Sequence, residues 1–358
     1  MMKPIGNQPK PAGPNVGFGR MWRWGTIRQT AHVCFTTIAV VGVSTMLTGF
    51  VWWAIGGLPD IDVNHIRRAY WTLRTALIDE VLTNPYLYLG VSAVLALELL
   101  VPARENQNVF SFGLRMDAVY SLLLIAFRIV LLPIYLIFLE QVYRNYLAFL
   151  TIDLSSPWPW HIRFFLGYLA VDFIGWLHHV VRHKVKVFWA FHVVHHSQRE
   201  LNVFTNDRVH PVDYLIARTV RFIPFLMLQT SFDLILAYLF FHELHDRLNH
   251  SNVKTNLGLL RYIFVTPQSH RIHHSIHPGH IDRNFGVSLS IWDRLFRTQY
   301  RRYDEYPDTG VPYTDFPNEE SGRRFGIIYY LAAQFAYPFQ RIWRSRRRTL
   351  FSALPIAR

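Results

Sequence analysis

Apolar positions along the chain form long blocks separated by short polar segments. The first block, about Thr30 to Ile55, contains CFTTIAVVGVSTMLTGFVWWAI without a charge. A second runs from about Leu87 to Val101, and a third from about Ala118 to Leu139, where Arg128 and Pro133 interrupt it. Because about 20 apolar residues in a helix cross a bilayer core, the first block predicts a transmembrane helix. The second and third predict helices that are tilted, broken or half-buried.

Two further apolar segments lie at about Ile162 to Leu177 and about Leu215 to Phe241. Four residues interrupt the latter segment: Arg218, Arg221, Pro224 and Asp233. Such interruptions favour paired helices that bend back inside the membrane, or amphipathic helices at its surface. The pattern therefore predicts an all-α integral membrane helical bundle with three to five crossings.

Composition and charge agree with a membrane setting. The 358 residues are 51% hydrophobic and only 17% charged, which is more apolar than an average soluble domain. The net charge is +13, and the basic residues cluster beside apolar stretches near the chain ends. This distribution favours an anionic membrane surface over nucleic acid as the partner. The single cysteine, Cys34, excludes an intramolecular disulfide and a cysteine-ligated cluster.

The chain divides into four expected regions. Residues 1–29 form a basic tail that the positive-inside tendency assigns to the cytosol, and the block that follows is too long for a signal-peptide core. Residues 30–160 contain the N-terminal transmembrane helices, and residues 161–300 carry a histidine-rich catalytic region. Residues 301–358 end in a second basic tail.

Sixteen of the eighteen histidines fall between His161 and His280. One pattern, a histidine followed after two residues by two adjacent histidines, occurs twice and is preceded by a pair spaced by four. These residues are His179 and His183, then His192, His195 and His196, then His270, His273 and His274. Because spacings of three and four share a helix face, each cluster is expected to direct its imidazoles towards a single point. Imidazole binds iron, zinc, copper and nickel, and so many donors predict two metal ions.

Other polar residues near these clusters are candidates for supporting roles. Asp172 precedes His179 by seven residues and is expected to accept the far N–H of a ligating imidazole. In HELHDRLNHSN, His242, Asp246 and His250 share one helix face, and His250 is the preferred ligand. Thr266 and Pro267 are expected to begin the helix of the last cluster. Five histidines are expected to be bystanders: His161, His178, His245, His277 and His280.

These residues resemble the fatty acid hydroxylase and sterol desaturase superfamily of integral membrane diiron enzymes. The resemblance rests on D-F-x-x-W-x-x-H-x-x-x-H from Asp172 to His183 and on F-W-x-x-H-x-x-H-H-S from Phe188 to Ser197. It continues in H-S-N from His250 to Asn252, in T-P-x-x-H-R-x-H-H-S from Thr266 to Ser275, and in I-D-x-N-F-G from Ile281 to Gly286. Four of these motifs follow one another in the order that the family has.

The resemblance implies a membrane helical bundle with a helical cap on the cytosolic side, which holds a histidine-caged pair of metal ions. The implied cofactors are two iron ions, with zinc as an occupant in purified protein, dioxygen as co-substrate, and electrons from an external donor. The implied ligands are His179, His183, His192, His195, His196, His250, His270, His273 and His274. Additional candidates are Asp172, His210, His242, Asp246, Asn252 and Asn284.

His210 lies in RVHPVD, where related enzymes often carry H-P-x-E. It is expected either to support the site and orient substrate or to begin a loop. The chain shows no haem-binding domain, cysteine motif or glycine-rich nucleotide fingerprint, so a separate ferredoxin, cytochrome or reductase is expected to supply electrons.

The expected activity is hydroxylation or desaturation of a membrane lipid, such as a sterol or a fatty acyl chain. Two other classes stay open. A zinc-dependent membrane hydrolase would work without dioxygen and with fewer protein ligands. A metal transporter would place histidines along a path across the bilayer, whereas these lie at the ends of apolar segments.

Overall fold

The computed structural model describes residues 63–108, 110–152, 159–318 and 326–352, and the regular elements within these ranges are helical. Their backbones otherwise form only three isolated β-bridges between loops. The prediction of an all-α fold is thus confirmed for the described residues. The predicted span from Thr30 to Ile55 and the basic tail before it lie outside them.

The described helices are labelled α1 to α11 in chain order. They are α1 (Val63–Ile78), α2 (Pro85–Leu100), α3 (Phe112–Val130), α4 (Leu132–Val142), α5 (Trp160–Lys184), α6 (Lys186–His196), α7 (Pro211–Met227), α8 (Phe232–His250), α9 (Pro267–His273), α10 (Ile291–Leu295) and α11 (Ile327–Ser352).

Two helical segments of the described ranges are long and apolar enough to cross a membrane. They are Ile66–Leu100, which joins α1 to α2, and α5. The helix α3 and the helical segment Leu132–Leu150, which begins with α4, make a third if they count as one span, and the pair bends by 51° at the break. Pro133 lies at the start of α4, and its missing N–H prevents α3 from continuing straight. The prediction of three to five crossings stays a prediction, because the first block lies outside the described residues.

Side-chain caps decide where several helices begin. The Asn84 side chain accepts hydrogen bonds from the first turn of α2, and the Ser111 side chain does so for α3. Thr266 and Ser269 form a reciprocal capping box at α9, with Pro267 at the first helical position. The expected start of α9 at Thr266 and Pro267 is therefore confirmed.

The helix α6 occupies the centre of the described fold. Its residues from Ala190 to His196 are all buried, with Val193 and Val194 fully so. These two valines join a core cluster with Met116 of α3 and Tyr330 of α11. Because apolar neighbours surround α6 on several sides, its three histidines have one fixed orientation.

Candidate metal centre

Nine histidines from four helical segments converge inside the protein. His179 and His183 lie in the last two turns of α5, and three more belong to α6. His250 ends α8, and the remaining three lie in α9 and directly after it. These nine are the histidines that the sequence pattern and the resemblance single out, and their role as metal ligands stays a prediction.

Five of the nine form one group, named here group A: His179, His183, His192, His196 and His273. One ring nitrogen from each lies within 4.8 Å of those of the others. All five Nε2 atoms are buried, and none has a hydrogen-bond partner among the described residues. A buried nitrogen without a hydrogen-bond partner is costly, so five that converge in this way fit a common metal ion.

The other four form group B: His195, His250, His270 and His274. Their Nε2 atoms lie very close to one another. The distances are 3.0 Å from His195 to His250, 2.8 Å from His250 to His270, and 3.1 Å from His270 to His274. Nitrogens bound to one ion at about 2.1 Å would lie roughly 3.0 to 3.4 Å apart, so this spacing suits a metal ion.

Each repeated motif divides its histidines between the two groups. His192 and His196 belong to group A and His195 to group B, whereas His270 and His274 belong to group B and His273 to group A. The expectation that each cluster points towards a single site is therefore wrong for the two repeated motifs, whereas the pair His179 and His183 does lie in one group. On a helix of 3.6 residues per turn, residues four apart differ by about 40°, while adjacent residues differ by about 100°. Adjacent histidines consequently face different groups.

The two groups lie side by side. The rings of His196 and His274, one from each group, stack with centroids 4.3 Å apart. The rings of His195 and His274, both of group B, lie at 4.7 Å. The doublets of α6 and α9 thus form the boundary between the two groups.

The Nδ1 atoms of several cage histidines point away from the two groups and donate hydrogen bonds, which fix the imidazole tautomers. Nδ1 of His179 lies 2.9 Å from the carbonyl of Phe285, and Nδ1 of His273 lies 2.9 Å from that of Arg283. In group B, Nδ1 of His250 lies 2.7 Å from the carbonyl of Asp246. A carbonyl only accepts, so each Nδ1 must donate, and the Nε2 lone pair faces the group.

Asp213 is a site residue that the sequence reasoning missed. Its Oδ2 lies 2.9 Å from Nδ1 of His192 and accepts a hydrogen bond from Nη1 of Arg182 at 3.2 Å. The carboxylate therefore has the role that was expected of Asp172. Its sequence signal was its position three residues after His210, where related enzymes often have glutamate.

Burial keeps the cage imidazoles neutral. Desolvation lowers the pKa of the His273 side chain to about 3, and nearby positive groups such as Arg182 contribute to this. Burial likewise lowers the pKa well below the usual value for His192, His195, His196, His270 and His274. Neutral imidazole is the form that binds a metal, so the protonation state fits a metal site.

Asp172 does not contact a histidine within the described residues, so its expected hydrogen bond to an imidazole is wrong. Seven residues span about 10 Å along a helix, too far for its carboxylate to reach His179. It accepts instead from the backbone N–H groups of Ser288 and Leu289 and from Nε1 of Trp292. It therefore anchors the returning segment beside α5.

Asp293 anchors the same segment and was also missed. Its carboxylate accepts from Nε1 of Trp176 at 3.1 Å and from the N–H groups of Phe285 and Gly286 at 2.9 and 2.6 Å. It thereby fixes the Phe285 carbonyl that binds His179. No motif in the sequence marks this residue.

Three other candidates lie near the cage but outside both groups. His210 caps α7, because its Nδ1 accepts from the N–H of Val212, so it begins this helix. Nε2 of His242 lies 2.7 Å from Nη1 of Arg221. Asp246 supports His250 through its carbonyl, and its carboxylate lies 3.4 Å from Nδ1 of that ring.

Asn252 and Asn284 contact the surroundings of the cage. Oδ1 of Asn252 accepts from Arg271 of α9 at 2.8 Å. Nδ2 of Asn284 donates to the carbonyl of Ser269 at 2.8 Å, and its φ of 56° is one that asparagine tolerates well. Both residues thus hold α9 in place.

The five expected bystanders lie outside both groups. His161 and His277 are exposed. His245 bonds the carbonyl of Val265, and His280 bonds Ser275 and Glu305. His178 is buried, and neither of its ring nitrogens has a hydrogen-bond partner among the described residues.

The donor set fits a metal pair that binds imidazole. All the candidate ligand atoms are nitrogens, and no carboxylate of the described residues belongs to either group. Such a set suits iron, zinc, copper or nickel better than magnesium or calcium.

The structure combines apolar helices long enough to cross a membrane with two adjacent buried groups of histidines. These features define the class: a membrane protein with a candidate metal site built from histidines. Residues 164–298 match the family model for fatty acid hydroxylase, and they contain all nine histidines. The chain carries a domain of the fatty acid hydroxylase superfamily, and the resemblance stated from the motifs is confirmed.

Curated relatives agree with this domain. The chain is 34% identical over 157 residues to the alkylglycerol monooxygenase of Homo sapiens and 30% identical over 176 residues to that of Caenorhabditis elegans. These alignments cover 44% and 49% of this chain and 34% of each relative. It is also 30% identical over 190 residues to an ornithine lipid hydroxylase of Rhizobium tropici, covering 52% of this chain and 53% of the relative.

The chain thus spans about a third of the length of the alkylglycerol monooxygenases that it matches. No solved structure matches it significantly.

Proposed function

We propose that this chain is a membrane-bound oxygenase that hydroxylates a lipid and uses two iron ions held by the nine histidines. The supporting observation is the division of nine buried imidazoles into two adjacent groups. Within each group the Nε2 atoms face one another. Nine nitrogen donors are more than one ion takes. When bound, an iron pair supplies the oxidant that an unactivated lipid C–H bond requires.

Hydroxylation is proposed over desaturation because the relatives are named as monooxygenases and hydroxylases. One oxygen atom of dioxygen enters a C–H bond and gives an alcohol. The other leaves as water after it takes up two electrons and two protons. A separate ferredoxin, cytochrome or reductase supplies the electrons. Desaturation would instead give an alkene and two molecules of water.

The residues of this chain have three roles in the proposal. The carbonyls of Phe285 and Arg283 orient imidazoles, and Asp213 does so with a charge. The ring of Phe285 packs 5.1 Å from that of His183 and keeps water from this side of group A. The apolar helices hold the protein in the membrane, with the cage on the cytosolic side, where the basic tails contact anionic lipid.

The test is oxygen labelling in cells that express the full chain. Lipid extracts from cells grown under ¹⁸O₂ and ¹⁶O₂ are compared by mass spectrometry. We expect a new lipid that is heavier by one ¹⁸O atom under the labelled gas. His273→Ala should abolish this product, while His277→Ala should retain it, because His277 is exposed and outside both groups.

Metal analysis completes the test. Protein purified anaerobically with ferrous iron should contain two equivalents of iron per chain. Absence of bound metal would contradict the proposal. A lipid product formed equally well without dioxygen would instead indicate the zinc hydrolase.

A further inference from the structure

Two cavities adjoin along α7. The first, of about 140 Å³, lies beside the cage and is lined by histidines of both groups, His179, His192, His195, His250 and His270. The second, of about 530 Å³, is lined mainly by apolar side chains of α1, α4, α7 and α8. Leu77, Leu132 and Leu239 line both cavities. A hydrocarbon chain bound in the larger cavity therefore reaches the entrance of the smaller one.

Two arginines also line both cavities, Arg218 and Arg221. They lie three residues apart and so share one face of α7. Nη1 of Arg221 contacts His242, while its Nε is buried without a hydrogen-bond partner. Cζ of Arg218 lies 4.7 Å from the ring centroid of Tyr214. Within the described ranges, neither guanidinium forms an ion pair with a carboxylate.

Two acidic residues that line the smaller cavity with these arginines, Glu243 and Asp213, already bind other groups. Glu243 accepts hydrogen bonds from two other arginine side chains, at 3.2 and 2.7 Å. Asp213 is bound by a further arginine and by an imidazole of group A. A guanidinium in apolar surroundings is costly without a counter-charge, and in membrane proteins such groups mark ligand sites. Glu243 and Asp213 act on Arg218 and Arg221 electrostatically, but neither arginine forms an ion pair of its own among the described residues.

We propose that Arg218 and Arg221 bind the anionic headgroup of the lipid substrate, a phosphate or a carboxylate, while its chain fills the larger cavity. The planar guanidinium donates paired hydrogen bonds that match the oxygens of either group. The headgroup then lies where the two cavities meet, and the adjoining part of the lipid faces the cage. This inference rests on the proposed function and specifies its substrate class.

The test compares ligands that share one chain and differ in headgroup. Full-length protein in non-ionic detergent is titrated with tetradecyl phosphate, tetradecanoate, tetradecanol and inorganic phosphate, and binding is followed by calorimetry. We expect the two anionic amphiphiles to bind at least about tenfold more tightly than the alcohol, because hydrogen bonds to charged groups are the stronger ones. Inorganic phosphate alone should bind weakly, since it has no chain to fill the cavity.

Variants then assign the preference to the two arginines. The double variant Arg218→Gln/Arg221→Gln should lose the tenfold preference and retain the affinity for tetradecanol. Arg144→Gln is the matched control, because Arg144 lines the same cavity but is paired with Glu140 at 2.6 Å. If the double variant does not fold, the single Arg218→Gln gives the same comparison, because no side chain in the described part hydrogen-bonds this guanidinium.

Three results would overturn the inference. One is equal affinity of the wild type for tetradecanol and tetradecyl phosphate. Another is an anion preference that survives in the folded variant. The third is equal affinity for inorganic phosphate and tetradecyl phosphate, which would indicate a free-anion site. Binding is measured without dioxygen or reductant, so these results are distinguishable from a failure of the proposed function, which metal content and ¹⁸O labelling report.

Discussion

Oδ2 of Asp213 lies 2.9 Å from Nδ1 of His192, and this contact gives one imidazole of group A a charged acceptor. The imidazoles of His179 and His273 have backbone carbonyls in the same place. A carboxylate polarises the ring more strongly than a carbonyl and makes its Nε2 a better donor to a metal. Asp213 lies in α7, so its contact with His192 joins α7 to the cage. Its carboxylate also accepts a hydrogen bond from Arg182 of α5.

Asp213→Asn should weaken metal binding to group A by about ten- to a hundredfold, which is typical when an acceptor behind a ligating histidine is changed. The amide keeps the shape of the side chain but loses the charge that faces both His192 and Arg182. Chelator titration of the iron-loaded protein, followed by metal analysis, measures the effect.

Asp315→Asn is the control for Asp213→Asn. The Asp315 side chain is 55% exposed and lies 3.7 Å from Arg344, so its loss should leave metal retention unchanged. Equal retention by the two variants would show that Asp213 does not influence the metal.

Adjacent histidines should affect different metal ions. His195 belongs to group B and His196 to group A, so each alanine variant should lose about one of two metal equivalents. X-ray absorption at the metal edge should also show that the metal–metal scattering disappears in both variants. If either variant lost both equivalents or retained both, the division into two groups would not describe the binding of metal.

The histidines of the cage could be predicted because their spacing is a local property of a helix. His179 and His183 share a face wherever α5 lies, and the capping box of Thr266 begins α9 without help from distant residues. The division of the doublets follows from the helical rotation of about 100° per residue. What the spacing does not reveal is which other segment meets each face.

The carboxylates could not be assigned from the sequence, because their partners are distant in the chain. Asp172 binds Ser288, which follows it by 116 residues. Asp293 similarly binds Trp176, at a separation of 117 residues. A local spacing places these acids on a helix face, but the packing of residues 285–293 against α5 decides what they bind.

Gly286→Ala should disturb the cage through the backbone. An added Cβ would lie 2.7 Å from Cγ2 of Val265 and 2.8 Å from the carbonyl oxygen of Leu289. The carbonyl cannot move without shifting the segment whose Phe285 carbonyl binds His179. We expect a lower thermal unfolding midpoint and a lower iron content, measured on the purified protein.

Gly326→Ala is the matched control for Gly286→Ala, because nothing lies within 4 Å of its added Cβ. It should retain both the midpoint and the iron content. A Gly286→Ala protein that matched this control would show that the segment adjusts freely.

His210 should make stability depend on pH independently of the cage. Burial lowers the pKa of its side chain from 6.5 to about 4, and rings of Phe191, Phe335 and Phe339 surround it. Since the folded pKa is the lower one, the unfolded chain binds the proton first. Stability is therefore lost as pH falls below about 6.5, and the loss levels off near 4, at roughly 3 kcal/mol in total. Protonation also removes the acceptor for the N–H of Val212.

His210→Asn isolates this effect, because asparagine caps helices well and does not titrate in this range. Chemical unfolding of the detergent-solubilised protein at pH 7.5, 6.5 and 5.5 gives the comparison. The wild type should lose more stability than the variant over this range, and the difference should grow steadily towards the acidic end. Parallel curves for the two proteins would mean that His210 titrates alike in the folded and unfolded states, which would contradict the lowered pKa of its side chain in the folded protein.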